Sequence, residues 1–549
     1  MNDKSAKPTD QYDVIVVGSG VGGLATALAA AEAGLSVAVF EKDELLGGGT
    51  ALAHGGIWVG CNHLAEAAGF PDSRQAVIDY LRFVGGGATE EDHLLAFVDT
   101  APVALKFFER CGIELQISND FPDHYYSQGP GSSGNGRSVE PKPIQFSRLG
   151  RWQNKIRQSE IDPPHLTVEE YIKVGGNNNL RNWDRALVAD RKRKGIRARG
   201  PALIAYFVLE LEKRNVPIFP GSPIERLVHE NGVVTGVRLT DASTVSAKRG
   251  VVLATGGWEG NEELTRAYEG LPGWRSMFPA SVNGDGLRMA TELGAAVTVI
   301  RNNLGLFLGF EVPSAVNDAP SEFRLSSIYE LLCPHTIVVN KEGKRFGDES
   351  YFQDMATALG KFDVWSRRFV NLPCFLIFDS QYVDNFSFCG SELGAVPPAW
   401  VSSGNTIEEL AGKLGIDASG LAQEVKHFNQ FAANGSDADF HRGEKHWTLA
   451  KREALTSGNA QNRTLGSLEK GPYYGLQMSP SAFASGGVRT TTQGQVENSF
   501  GKPIPGLYAI GNVAAHLEYG IGYQAGLSLA SGMTFGYLCV EHMKNQIKR

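Results

Sequence analysis

Residues 13–41 constrain the fold of this chain more than any other stretch. Asp13-Val-Ile-Val-Val17 is a β-branched run of the kind buried in a parallel sheet. Gly18-Ser-Gly-Val-Gly-Gly23 follows, then an Ala-rich helix is expected from Leu24 to Ala33, closed by Gly34. Ser36-Val-Ala-Val-Phe40 reads as a second strand ending at Glu41. This β–α–β unit has the spacing of a dinucleotide site. Gly18 allows the tight turn, Gly20 lets the backbone approach a pyrophosphate, and Gly23 lets the helix pack on the strand. The helix N-terminus favours the anion. Glu41 stands where a carboxylate can bond ribose hydroxyls.

Two further glycine segments narrow the choice of dinucleotide. Leu46-Gly-Gly-Gly-Thr-Ala-Leu-Ala-His-Gly-Gly56 is a second loop that a nicotinamide enzyme of this kind would not need. It suits a longer cofactor whose ribityl chain and ring run deeper into the protein. Gly506-Leu-Tyr-Ala-Ile-Gly-Asn512 adds a third backbone contact near the chain end. Together the three point to FAD, held non-covalently. The expected contacts are Gly18, Gly20, Gly23, Glu41, Lys42, Gly48, Gly49, Thr50, Gly55 and Gly56. They continue with Ile224, Ala254, Thr255, Gly256, Asp285, Gly511, Asn512, Ser528 and Leu529. His54 is expected beside the flavin ring.

Gly250-Val-Val-Leu-Ala-Thr-Gly-Gly257 is another strand running into a glycine turn. The fold class is therefore α/β, a Rossmann-type FAD-binding domain that is discontinuous, with an α+β substrate domain inserted in it. The expected boundaries are a loose polar leader at 1–11, a first FAD-binding part at 12–282, a substrate domain at 283–480 and a return at 481–549. With 549 residues, two to four units follow from roughly 100–200 residues per domain.

Within the first part, 148–200 stands apart. It carries Arg148, Arg151, Lys155, Arg157, Arg191-Lys-Arg-Lys194, Arg197 and Arg199. It reads as a solvated excursion, a lid over the substrate, or a patch that touches acidic lipid or a partner. The net charge of −8 gives no sign of nucleic-acid binding. Six scattered cysteines have no C-x-x-C pair, so no metal site or disulfide framework is implied, and a cytoplasmic location is expected. No signal peptide is evident, and no run of about 18 apolar residues suggests a membrane span.

Further motifs carry a resemblance. They are Gly69-Phe-Pro-Asp-Ser73 with Thr100-Ala-Pro-Val103 and Phe121-Pro-Asp-His-Tyr-Tyr126, then Phe440-His-Arg-Gly-Glu444, then Met533-Thr-Phe-Gly-Tyr537. With the glycine segments, they make the chain resemble the fumarate reductase, succinate dehydrogenase and 3-ketosteroid dehydrogenase flavoproteins. The likeness is to the Δ1-dehydrogenase branch and covers nearly everything except 150–200. It implies desaturation of a cyclic ketone, either a 3-oxosteroid or a smaller alicyclic one. A base removes the α-proton, and hydride leaves the β-carbon for flavin N5. The implied electron acceptor is a quinone or an electron-transfer protein.

The resemblance also implies site residues. Gly526 matches the glycine whose N–H holds the ketone. The partner tyrosine of the Δ1 enzymes falls four residues earlier, at Gly522, whereas this chain has Tyr523, a register similar to the Δ4 enzymes. A second tyrosine follows the Phe-Pro-Asp motif, where either His124 or Tyr125 qualifies, Tyr125 being the favoured one. Tyr351 is the local candidate for the third. Fumarate reductases place a proton-donating Arg in the register of Tyr523 and a His within the stretch matching 479–487, and neither is present. An enone or unsaturated-acid reductase and a non-catalytic flavoprotein remain the alternatives. Lys344-Arg-Phe-Gly-Asp-Glu349 reads as structural.

Overall fold

The computed structural model describes residues 8–159, 164–301, 305–314, 321–326 and 330–545. Of the expected leader, residues 1–7 lie outside this range.

The strand Gln11–Val17 lies inside an eight-stranded sheet. It pairs in parallel with Val37–Phe40 on one side and Thr244–Leu253 on the other. The strand Pro503–Ala509 joins beyond Thr244–Leu253, with Val251 opposite Leu507, also in parallel. The side chains alternate as a strand's period of two requires. Val14 and Val16 enter a core with the helices Val21–Glu32, Arg199–Lys213 and Leu527–Asn545. Ile15 and Val17 enter a second core on the other face. Both faces of the parallel strands are thus covered, which explains why they read as unbroken apolar runs.

A separate antiparallel sheet takes its strands from Leu306–Val312, Glu322–Arg324, Thr336–Asn340, Cys374–Asp379, Ser402–Gly404 and Tyr473–Ala482. It too has two buried faces. Val338 and Leu376 point to one core, while Ile337, Val339, Phe375 and Ile377 point to another. The protein is therefore a mixed α/β chain with a parallel nucleotide-type sheet and an antiparallel second sheet.

The Lys344–Glu349 motif ties this second sheet to a later loop. Arg345 donates to both carboxylate oxygens of Glu349, at 2.8 and 2.7 Å, and to Asp437 at 2.8 Å. All three are fully buried. Arg442, buried beside them, donates to the backbone carbonyls of Thr336 and Cys333. A buried ion pair is weak evidence of stability but strongly fixes geometry. Here it fixes the start of the helix Phe352–Leu359, which faces the cavity described next.

The described part of 148–200 is drawn onto the body by ion pairs. Arg151 meets Glu212, Lys155 meets Glu44 and Arg157 meets Asp43, while Arg191 meets Glu170 within the segment itself. Its helix Val168–Lys173 begins with a capping box between Thr167 and Glu170. Among the described residues, no helix is long and apolar enough to cross a membrane.

Candidate active site

A cavity of about 2440 Å³, its open mouth included, runs from the glycine loop of the parallel sheet to the antiparallel sheet. Its first half is backbone. The helix Val21–Glu32 begins at Gly20, which has no side chain to cap it, so its first turn meets the cavity as backbone, with the Val21 N–H taken by the Thr50 hydroxyl. Gly18 has φ of +108°, and a Cβ there would lie 2.3 Å from the carbonyl oxygen of Ala254. Gly23 does not line the cavity; a Cβ on it would lie 2.1 Å from the carbonyl oxygen of Gly18, so it serves the packing of helix on strand. At Gly48 and Gly511 a Cβ would meet nothing within 4 Å. These are open walls of a groove wide enough for a ligand to lie against bare backbone.

The remaining expected cofactor residues all border this groove. Glu41 accepts from the Ser19 hydroxyl at 2.6 Å and from the Ser19 N–H at 3.0 Å through one oxygen, and from the Asp43 N–H through the other. Lys42 pairs with Asp285 at 2.5 Å and Asn283 at 2.9 Å, closing one end of the groove. The Thr50 hydroxyl accepts from the Val21 N–H at 3.1 Å. Thr255 keeps a buried hydroxyl with no partner. Asn512 accepts from the Ser528 hydroxyl at 2.7 Å, which sets the start of the helix Leu527–Asn545 against the cavity. The uncapped helix, the bare glycine walls and the orphaned hydroxyl fit a long dinucleotide. His54 lines the same stretch, its ring 5.0 Å from that of Tyr171.

The second half is an aromatic chamber. Tyr523 sits at its centre, with the rings of Phe307, Phe352, Phe483 and His124 at 5.2, 5.4, 5.6 and 5.3 Å. Its hydroxyl has no protein partner among the described residues. Burial pushes the phenol above the ordinary tyrosine range, so it stays protonated and can only donate or accept a hydrogen bond as a neutral group. Gly526, also on the wall, has φ of +93°, and a Cβ there would come within 2.6 Å of the Trp58 nitrogen. Only glycine fits, and its N–H has no acceptor among the described residues.

The Tyr523 register has a steric cause. A Cβ at Gly522 would lie 2.2 Å from the carbonyl oxygen of Val84. The backbone there is pressed on the helix Arg74–Gly85, so no tyrosine can stand four residues before Gly526.

His124 is buried and lines the chamber. The preceding residue explains its aim. Asp123 accepts from the Trp58 indole at 2.7 Å and from Arg137 at 2.8 Å, and the His124 N–H donates to Gln524 at 2.8 Å. With that turn pinned, Tyr125 is directed away. Burial, with the nearby Lys451, holds the His124 imidazole well below its usual pKa, so it is neutral. Its Nε2 accepts a long bond, 3.4 Å, from the Ala525 N–H.

Two expected residues are not in the chamber. Tyr125 and Tyr351 stand behind its wall, their rings 6.3 Å apart. The Tyr351 hydroxyl donates to the carbonyl of His124 at 3.1 Å, which uses it as a brace. Of the pair weighed after the Phe-Pro-Asp motif, the structure brings His124, not the favoured Tyr125, to the cavity. Phe307, Phe352, Phe483, Trp447 and Lys451 complete the chamber from distant parts of the chain and carry no local sequence signal.

The parallel sheet with its glycine groove defines a dinucleotide-binding protein, and the chamber beside the groove adds room for a second, smaller molecule. Residues 13–529 match the FAD binding domain family. The chain is 34% identical to a 4-oxocyclohexanecarboxylate 2-dehydrogenase of Sinomonas cyclohexanicum, covering 97% of this chain and 92% of that one. It is 33% identical to a 3-oxosteroid 1-dehydrogenase of Mycobacterium tuberculosis, over 98% and 99% of the two chains. Among solved structures, the 3-ketosteroid delta1-dehydrogenase of Sterolibacterium denitrificans, in complex with 1,4-androstadiene-3,17-dione, superposes with a TM-score of 0.86 at 28% identity, over 98% of this chain and all of the other. The chain belongs to the FAD binding domain family and is an FAD-dependent oxidoreductase.

Proposed function

We propose that the protein desaturates a cyclic ketone, forming a C=C bond between the carbons α and β to the carbonyl. One observation carries this reading: Tyr523 and Gly526 present a neutral phenol and a backbone N–H to one chamber, with His124 beside them and the FAD groove adjoining. Two neutral donors suit a carbonyl oxygen that gains charge as its α-proton leaves. Tyr523 and Gly526 hold that oxygen. His124, kept neutral by burial, takes the α-proton through Nε2, its long bond to Ala525 being readily exchanged. The phenylalanines around Tyr523 exclude water and orient the ring. Bound FAD supplies the two-electron acceptor for the hydride that leaves the β-carbon. The reading is supported by the names of the relatives, which act on ring ketones.

The cofactor contacts named above are assigned to FAD on the same basis. Val168 and Tyr171 form part of the wall, so 148–200 serves as a lid, and the ion pairs of its cations argue against a free basic patch there. Electrons then pass to a quinone or an electron-transfer protein. The domain division at 282 and 480 is proposed as the functional one, with FAD on the first sheet and substrate against the second.

The test is product analysis. FAD-loaded protein, given saturated ring ketones and an artificial electron acceptor, should yield products two hydrogens lighter with the double bond conjugated to the carbonyl. Recovery of every ketone unchanged, with FAD intact and reducible, would contradict the proposal.

A further inference from the structure

Lys451 is a chamber residue that ketone desaturation leaves unused. It lines the cavity and is only 5% exposed. The helix His446–Ala454 places it one turn after Trp447, on the same face. Its ammonium lies 4.0 Å from the centre of the Trp447 ring and 5.6 Å from that of Tyr171. Two other lysine or arginine side chains line the cavity, and both have carboxylate partners: Lys42 has Asp285 at 2.5 Å and Arg324 has Glu330 at 2.6 Å. Lys451 has none among the described residues. Aromatic faces on two sides stabilise its cation only in part. A buried ammonium without an anion is costly to keep, and a ligand that brings the anion completes it.

Lys451 also shares the chamber with the ketone donors. The ring of His124 lies tilted against Trp447 at 3.8 Å and against Tyr523 at 5.3 Å. Trp447, with Lys451 beside it, thus meets the same imidazole that meets Tyr523. A ring ketone that also carries an anionic group can meet both the ketone donors and Lys451 in this one chamber. A steroid would set uncharged carbon against the ammonium.

We propose that Lys451 binds a carboxylate, so that the substrate is a ring ketone bearing an acid group, with the acid on Lys451 and the ketone on Tyr523 and Gly526. This rests on the ketone reading above. The rival role for the same side chain is that of a neutral amine acting as the base.

The experiment compares kcat/KM for 4-oxocyclohexanecarboxylate and its methyl ester in the FAD-loaded wild type, Lys451→Met and Lys451→Arg. The wild type should prefer the acid. In Lys451→Met that preference should fall about 100-fold, through KM, the usual scale for removing one partner of a desolvated charge pair. Lys451→Arg should restore most of it. Cyclohexanecarboxylate, which has no ketone, should quench tryptophan fluorescence in the wild type, and cyclohexanecarboxamide should not. A wild type that uses ester and acid equally would overturn the proposal, as would Lys451→Met losing the same factor on both substrates. Refusal of acid and ester alike would instead overturn the ketone reading, and the quenching by cyclohexanecarboxylate would still decide the role of Lys451.

Discussion

The side-chain amide of Gln353 meets Nδ1 of His124 at 2.6 Å. The opposite nitrogen, Nε2, faces the Ala525 N–H, which can only donate. In a neutral ring one nitrogen carries the proton, so it sits on Nδ1, and the Gln353 amide, whose Nε2 is the atom placed toward the ring, must be turned over to present its oxygen instead. That gives the otherwise unpartnered Oε1 of Gln353 its donor. Gln353 thereby directs the lone pair of Nε2 into the site.

Replacing Gln353 with Leu removes that control of the tautomer. Turnover should drop by about 10–100-fold, the scale of losses when a residue that orients a functional histidine is removed. The absorption spectrum of bound FAD should not change, because Gln353 does not line the groove. Stopped-flow reduction with a ring ketone checks both.

Tyr523→Phe should lower kcat by about 10²–10³-fold, the range for losing one preorganised donor to an oxyanion. The wild-type rate should show no fall from tyrosine ionisation up to pH 10. Burial raises the Tyr523 pKa, so the donating phenol persists as pH climbs through the ordinary tyrosine range. A pH–rate profile of single-turnover reduction measures this.

Tyr125→Phe should leave turnover within about threefold and hold or raise stability, since deleting a buried unpartnered hydroxyl removes a desolvation penalty of about 1–3 kcal/mol. Thermal unfolding and steady-state kinetics of this variant separate Tyr125 from His124. His124→Ala should instead abolish most turnover.

Burial pushes the Lys451 amine down to about 7. The amine is charged below that value and neutral above it. An acid substrate needs the charge, so its kcat/KM should fall as pH rises through 7, while that of the methyl ester should not. If the neutral amine were the base, both would rise over the same window. The titratable groups facing Lys451 are His124, already neutral, and Tyr171 from the helix Val168–Lys173.

The two halves of the cavity differ in how far they can be read from sequence. The groove is built by short backbone segments, and the residue types that permit close approach, at Gly18 and Gly20, stand next to the strand Gln11–Val17 that they end, with Gly48 in the loop after Val37–Phe40. Local order therefore reveals it. The chamber is built by side chains from 121–124, 307, 352, 447, 483 and 523, which only the meeting of two sheets brings together. No spacing in the chain encodes that. His124 and Tyr125 are adjacent, and what separates them is the anchoring of Asp123 by Trp58 and Arg137, contacts far away in sequence. Lys451 precedes Arg452 with no motif around the pair to tell them apart, yet Arg452 is bonded outside the cavity to the carbonyl of Gly443 and only Lys451 lines it.

Ketone desaturation is tested most directly by an anaerobic titration of the FAD-loaded protein with 4-oxocyclohexanecarboxylate and, in parallel, a 3-oxosteroid. A ring ketone should bleach the oxidised flavin band with an end point of about one ketone per flavin, the yield of a single two-electron transfer, and the matching enone should appear. A flavin that stays oxidised with every ring ketone, yet is fully reduced by dithionite, would contradict it.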